Sequence, residues 1–494
     1  MMKSFLFKKV NFKKLLLSFG IVVASCVAIS AVLGWERNFI PNWVRWQEKS
    51  IELKFDEDKA RYTTEIKSKR LEVRSDKGER TFLTDEKLKI QDALTTDIDS
   101  DGKPEIIAVV WKKGLFGRHR PFWIQSDEKT YSQHVFIYGV DEKGTVTQKW
   151  FASETGILIN RMKLMEKNNR ILLFEDIDGN CTLWKWESFG LKNIENKVSF
   201  VAFGDNLIHT PIYEYANRAE KGKFDFLYKP FLDDIKSADI AAFNAESALV
   251  DDARMISGYP SFGAPTAVGD AIVNAGFDIA VCANNHILDK GIGELEYTKR
   301  FYESENLICP GIQDRKDVSL RPYELISRNG ISFAIFSYTY GTNAGDISEK
   351  FPYVVHYLPK SDEERNELLW NLQRAREEAD IVMVFAHWGD EYQEAANSGQ
   401  REMAALFAKG GADIVIGSHP HVIQEVEEIE RPDGEKCLVY YSLGNFVADQ
   451  GMEAGTKAGG EAVISFEHTY DGVKVTGHEL REITSYWKDL IKTK

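Results

Sequence analysis

Between residues 197 and 450 the sequence alternates short apolar runs with helical stretches, and nothing else in the chain limits the fold as much. The runs are VSFVAF (198–203), ADIAAF (238–243), FDIAVCA (277–283), ISFAIFSY (331–338), ADIVMVFA (379–386), ADIVIG (412–417) and CLVYYSL (437–443). Such alternation marks an α/β layer fold. The clearest helix covers 362–378: Ser361 and Glu364 form a capping box, and Leu368, Leu372, Ala375 and Ala379 recur at helical spacing. A second covers 400–409 and stops at Gly410-Gly411, a natural C-cap.

Six of the seven runs end in a polar cluster. They lead into Gly204-Asp205-Asn206 with His209 beyond, Asn244-Ala245-Glu246, Asn284-Asn285-His286 with Asp289, His387-Trp388-Gly389-Asp390-Glu391, Ser418-His419-Pro420-His421, and Gly444-Asn445-Phe446. Parallel strands align their carboxyl ends along one edge of a sheet, where α/β proteins bind ligands. A lone Asp after a strand is usually an N-cap, and a lone buried His is usually a hydrogen-bonded core residue. Five of the ten histidines falling in these clusters point instead to a metal centre. Mixed imidazole and carboxylate donors favour zinc, manganese or iron over calcium.

The ordered motifs GDN, NAE, ANNHILDKG, AHWGDEY, GSHPHV and YSLGNF, within about residues 198 to 448, resemble the bacterial capsule-synthesis family CapA, or poly-γ-glutamate synthesis protein. That family is similar to calcineurin-like metallophosphoesterases, four-layer α/β sandwiches holding two metals. The resemblance implies ligand roles for Asp205, Asn285, His387, His419 and His421, with Glu246 as the bridging carboxylate. It implies His209 for the DxH histidine, here spaced D-x-x-x-H, and His286 for the non-ligand histidine that meets the reacting group. Two departures stand out. The phosphoesterase GNHD/E becomes Asn284-Asn285-His286-Ile287, with Asp289 the replacement for the acid, and GDxxD becomes NAE.

Residues 50–195 read as a β-rich domain. RLEVRS, RTFLT, EIIAVVW, HVFIYGV, TVTQKWF and ILLFED are punctuated by SDKG, DSDG, DEKG and DIDG, a spacing that suggests repeated hairpins, as in part of a propeller. Asp97, Asp99, Asp101 and Glu105 form a D-x-D-x-D-G-x-x-E loop suited to calcium, similar to the loops of FG-GAP repeats. Its twelfth position is Ala108, which excludes an EF-hand. Asp176 to Asn180 is a degenerate second copy, and an Asp/Gly turn without metal is the plainer reading of both.

Residues 15–35 form a run of about 20 apolar or small residues without charge, long enough to cross a bilayer as a helix. Lys3, Lys8, Lys9, Lys13 and Lys14 precede it, and Glu36 and Arg37 follow. The positive-inside bias puts a tail at 1–14 in the cytoplasm and the rest of the chain outside, at the cell membrane. A cleaved signal peptide has a shorter core, about 7–15 residues. A lipoprotein reading of Val23-Ala24-Ser25-Cys26 is opposed by the apolar run continuing past Cys26. Five scattered cysteines without a CxxC pair argue against a disulfide framework or zinc ribbon.

The formal charge of −14 makes the chain a poor nucleic-acid binder. The expectation is therefore an anchored capsule or poly-γ-glutamate biosynthesis protein, with C-terminal strands and tail at 451–494. Its implied partners are an anionic surface polymer and a membrane-bound ligase or export complex. Two metals about 3.5–4 Å apart would generate a hydroxide nucleophile, with His286 as acid and Asp289 behind it. The loop 251–265, bearing Arg254, Tyr259 and Phe262, is the candidate substrate loop. A non-enzymatic tether for the polymer and an exported phosphoesterase remain as alternatives.

Overall fold

The computed structural model describes residues 38–55, 62–117, 119–165, 169–451, 453 and 455–493. The tail and apolar run expected at 1–14 and 15–35 lie outside them. No helix among the described residues is long and apolar enough to cross a membrane. The chain divides into two units, Met1–Ile194 and Glu195–Lys494.

The first unit is built from hairpins. Strands β1 (Lys49–Leu53), β2 (Tyr62–Lys67), β3 (Arg70–Ser75) and β4 (Arg80–Leu83) form one sheet in chain order. A second sheet holds β5 (Lys89–Thr96), β6 (Glu105–Lys113), β7 (Tyr131–Val140) and β8 (Val146–Glu154). A third holds β9 (Ile159–Leu164), β10 (Ile171–Asp176), β11 (Cys181–Glu187) and β12 (Gly190–Ile194). All three are antiparallel meanders of four strands. The middle sheet is covered on both faces. Ile106, Ala108 and Val110 pack with Leu71 and Val73 of the first sheet, while Ile107 and Val109 pack with Leu172 and Phe174 of the third. This is why EIIAVVW is a continuous apolar run rather than an alternating one.

The second unit contains β13 (Lys197–Asn206), β14 (Ile240–Asn244), β15 (Leu249–Val250), β16 (Ala264–Pro265), β17 (Ile279–Val281), β18 (Glu324–Arg328) and β19 (Ile331–Thr339). These are followed by β20 (Ile381–His387), β21 (Ile414–Ser418), β22 (Val426–Glu430), β23 (Lys436–Tyr440), β24 (Asn445–Val447), β25 (Ala458–Thr469) and β26 (Gly472–Thr484). One sheet runs β17-β14-β13-β25-β26, with β24 also on β13, and the other runs β18-β19-β20-β21-β23-β22. Strands β13, β14 and β17 are parallel, as are β19, β20, β21 and β23.

Phe200, Ile240 and Ile279 from the first sheet meet Phe333, Met383 and Ile416 from the second in one buried layer. Helices 210–219, 266–275 and 292–304 cover the other face of the first sheet through Ile212, Ile272 and Leu295. Helices 362–378 and 398–410 cover the second through Leu372 and Phe407. The mixed α/β expectation holds.

Three details differ from the sequence reading. The polar strand ends belong to two sheets, not one edge. Strand β25 pairs along β13 from Lys197↔Glu467 to Phe203↔Glu461, so a boundary at residue 450 would cut through a sheet. The helix expected at 400–409 starts at Ser398, because Asn397 and Gln400 form a capping box of their own: Asn397 Oδ1 accepts from Gln400 N at 2.9 Å, and Gln400 Oε1 accepts from Asn397 N at 3.0 Å.

Candidate metal centre

Two glycines let the strand ends come together. A Cβ at Gly204, just before Asp205, would lie 1.9 Å from the Gly444 carbonyl, and one at Gly417, just before Ser418, 1.9 Å from that of Tyr441. The backbone of β13 can therefore close on Gly444, to which Asp205 N donates at 2.9 Å.

Around that contact the structure gathers residues from both sheets. Glu246, fully buried after β14, belongs to two groups of donor atoms that lie within 4.8 Å of one another: one with His387 and His419, the other with Asp205 and His421. Asn285 joins the first group, with Oδ1 2.9 Å from His387 Nε2. Glu246 Oε1 stands 3.5 Å from the same nitrogen. Six of the residues expected to bind metal thus converge.

The centre has the electrostatics of a site that receives a cation. Glu246 Oε1 and His419 Nδ1 are buried and have no hydrogen-bond partner, a costly state for polar atoms unless an ion meets them. Burial, and then the neighbouring Asp205 carboxylate, push the Glu246 carboxyl well above its ordinary range. Burial and then His419 hold the His387 imidazole well below its own, and burial and then His421 bring His419 down to about 4. Neutral imidazole is the ligand form, and a divalent cation relieves the crowded carboxylates. The donor set fits two such ions. Asp205, Glu246 and His421 would hold one, and Glu246, Asn285, His387 and His419 the other.

Residues behind the ligands fix their aim. The Asn244 amide donates to Asp205 Oδ1 at 2.8 Å and to Glu246 Oε2 at 3.3 Å, tying the two carboxylates together. Ser418 Oγ lies 2.9 Å from His387 Nδ1, which leaves Nε2 facing the centre. His419 and His421 adopt φ of 99° and 61° on either side of Pro420. Such left-handed backbone at non-glycine residues is strained, and strain of this kind collects at functional sites. His421 Nδ1 is 2.9 Å from Asp205 Oδ2.

His286 takes another position. Its Nδ1 is 2.6 Å from Asp289 Oδ2, which also accepts the Phe262 N–H at 2.7 Å. Asp289 therefore supplies the acid missing beside the histidine and binds the loop 251–265 to it. Lys290 Nζ fastens the same loop through Ser257 Oγ at 2.7 Å and Ser261 Oγ at 3.1 Å. Arg254 is exposed and paired with Asp252, and Tyr259 is 79% exposed. Phe262 is the loop residue at the site, buried with its ring 4.7 Å from that of His286 and 5.0 Å from that of His209.

His209 lies next to the ligand groups without entering either. Asp449 N–H donates to its Nδ1 at 3.2 Å, and burial lowers its pKa to about 4. Its four-residue spacing from Asp205 carries it past the end of β13 to the start of helix 210–219.

Tyr340 and Asn343, after β19, were not singled out from the sequence. The Tyr340 ring is 4.7 Å from that of His419, and Asn343 places its N–H on Asn285 O at 2.8 Å and its amide 3.2 Å from His286 Nδ1. The signal was their position after the one apolar run not read as ending in a polar cluster.

In the first unit Asp97, Asp99 and Asp101 come within ligand distance of one another. Glu105 accepts from Ile98 N at 3.0 Å and pairs with Lys149 at 2.6 Å. The Lys149 ammonium also reaches Asp99 at 2.5 Å and Asp101 at 3.5 Å, so the loop already faces a cation of the chain itself. Asp176 accepts from Asp178 N and Asn180 N, closing the turn between β10 and β11.

The sequence profile described as bacterial capsule synthesis protein PGA_cap matches residues 199–450, just over half the chain and the whole of the centre. The chain belongs to this family. It is 28% identical over 296 residues to the capsule biosynthesis protein CapA of Bacillus anthracis, covering 58% of this chain and 67% of the relative. It is 30% identical over 223 residues to the PGA biosynthesis protein CapA of Bacillus subtilis (strain 168), covering 44% of this chain and 55% of that one. Solved structures similar to this member of the family include a phosphatase from Mycoplasma pneumoniae, with TM-score 0.34, 13% identity and coverage of 60% and 98%. Another is the calcineurin-like phosphoesterase YfkN from Bacillus subtilis, with TM-score 0.33, 14% identity and coverage of 60% and 96%.

Proposed function

We propose that the chain is a membrane-anchored, extracytoplasmic protein of capsule biosynthesis whose metal centre acts on an anionic polymer of the poly-γ-glutamate kind. One observation carries the reading: Glu246 is shared by two ligand groups and keeps a buried oxygen without a hydrogen-bond partner. The polymer comes from the names of the curated relatives, and the anchor from residues 15–35. A membrane-bound ligase or export complex is the expected partner.

Bound divalent ions would supply Lewis-acid polarisation and an activated water. The chain's own residues then divide the work. His286, held at Nδ1 by Asp289, presents Nε2 as the proton donor to a leaving group. Phe262 packs against the His286 ring and keeps water from that side. Asn343 and Tyr340 border the centre and orient what enters.

The full chain, loaded with zinc, manganese or iron, is incubated with poly-γ-glutamate and separately with a chromogenic phosphate ester. Shortening of the polymer or glutamyl transfer supports the proposal. Turnover of the ester alone favours an exported phosphoesterase, the reading that the His286–Asp289 pair keeps alive. Retention of intact polymer without turnover favours a tether.

A further inference from the structure

The β-rich unit holds a groove that the metal centre does not use. It is a cavity of about 830 Å³, bordered by Lys87, Lys89, Lys112 and Lys113 with Tyr131 and Phe151. Asp85 and Glu86 stand at its edge, leaving four ammonium groups against two carboxylates. Three of the ammonium groups rest on neutral acceptors: Lys89 Nζ on Glu86 O at 2.9 Å, Lys112 Nζ on Lys113 O and Gly114 O at 3.1 Å, and Lys113 Nζ on Asn38 Oδ1 at 2.6 Å; Lys112 also feels the Asp127 carboxylate. Carbonyl oxygens satisfy the donors without cancelling the charge. In a chain of net charge −14 this is a local reversal of sign.

The segment joining β6 to β7 starts at Lys113 and ends at Tyr131, both on the groove, and lines it again at Gly117. Midway it bears Phe122 and Trp123, 95% and 67% exposed, with ring centroids 4.8 Å apart. His119 and Arg120, also exposed, precede them. An exposed aromatic pair in the same segment as cationic residues is the composition found at the headgroup level of membranes. A soluble polyanion would engage the lysines but would leave this pair in water.

The position of Asn38 gives the third observation. It sits on Lys113 and comes three residues after Trp35, the end of the apolar run, with only Glu36 and Arg37 between. Three residues span at most about 11 Å. A chain anchored by residues 15–35 therefore holds this groove close to the bilayer surface. The inference rests on that anchored reading.

We propose that the lysine groove together with Phe122 and Trp123 docks on an anionic phospholipid surface. Headgroup phosphates meet Lys87, Lys89 and Lys113, and the two rings enter the interface beside them.

The test uses the full chain reconstituted in vesicles with brominated acyl chains, one set of phosphatidylcholine and one of phosphatidylcholine with phosphatidylglycerol. Flotation is measured first, then quenching of tryptophan emission. In the phosphatidylglycerol vesicles, Trp123→Phe is expected to remove the share of quenching due to one of the 11 tryptophans. The triple variant Lys87→Glu/Lys89→Glu/Lys113→Glu, checked for an unchanged melting temperature, is expected to lose the same share, while in phosphatidylcholine alone the loss is smaller. A chain that floats but is quenched equally with and without Trp123 overturns the docking face and leaves the anchor standing. Equal quenching of wild type and triple variant overturns the role of the groove. A chain that does not float overturns the anchor and the docking face together. Competition by soluble poly-glutamate that lifts the Trp123 quenching assigns the groove to polymer and overturns the lipid.

Discussion

Asn285 Oδ1 stands 2.9 Å from Nε2 of His387, which joins the end of β17 in one sheet to the end of β20 in the other. The two sheets pack through an apolar layer, and their polar carboxyl ends meet at this point. Because apolar packing holds the strands, the ligands can be removed one at a time. His387→Ala is expected to empty the position it shares with His419 and Asn285, and His421→Ala the one it shares with Asp205. Each variant should keep its circular dichroism spectrum and lose about half its metal, measured by plasma mass spectrometry.

Asn244 touches both carboxylates without being a ligand itself. Groups that orient ligands typically contribute about 10–100-fold in metal affinity. Asn244→Ala should weaken binding within that range in a chelator competition, while saturating metal restores full occupancy.

His286 is expected to behave differently from the ligands. His286→Ala should retain its metal and lower turnover of whichever substrate proves active by about 10²–10⁴-fold, the usual worth of a proton-transfer group. Asp289→Asn keeps the shape but weakens the charge-assisted bond to His286, so a smaller fall is expected. Loss of metal in His286→Ala would contradict the division of roles.

Glu461 on β25 is a buried carboxylate remote in function from the centre. Burial, and then Asp234, raise its pKa to about 7, against an unfolded value of about 4.3. The folded state thus holds the proton longer than the unfolded one. Its stabilising contribution is complete below the unfolded value and is lost as pH rises through 7. Denaturation midpoints at pH 5, 6, 7 and 8 should therefore show Glu461→Gln gaining on the wild type as pH rises. A constant difference would contradict this.

Gly204 is expected to be intolerant. Alanine there puts a methyl 1.9 Å from the Gly444 carbonyl, a backbone atom that cannot rotate away. Gly204→Ala should lower the melting temperature and, by moving Asp205, reduce metal content as well.

Much of this arrangement was legible in the sequence because each apolar run is followed directly by the residues it delivers. The polar strand-end clusters were visible for that reason, and the resemblance to the capsule-synthesis family singled out Asp205, Glu246, Asn285, His387, His419 and His421 within them. The spacing of Asp205 and His209 did not show that the chain turns into a helix between them, so His209 falls beside the centre. Tyr340 and Asn343 are ordinary residue types whose role depends on β19 lying parallel to β20, which no local pattern encodes. Arg254 and Tyr259 looked like substrate contacts from loop composition alone. The fold buries Phe262 of the same loop against His286 and leaves both of them exposed to solvent. Lys149 lies 44 residues beyond Glu105, too far for the aspartate loop to announce its partner.

The most direct test is the metal content of the purified full chain beside that of Glu246→Ala. A carboxylate shared by two positions should affect both, so two divalent ions per chain are expected in the wild type and none in the variant, with the fold retained. A wild type that binds no transition metal, or a Glu246→Ala chain that keeps both ions, would contradict the account.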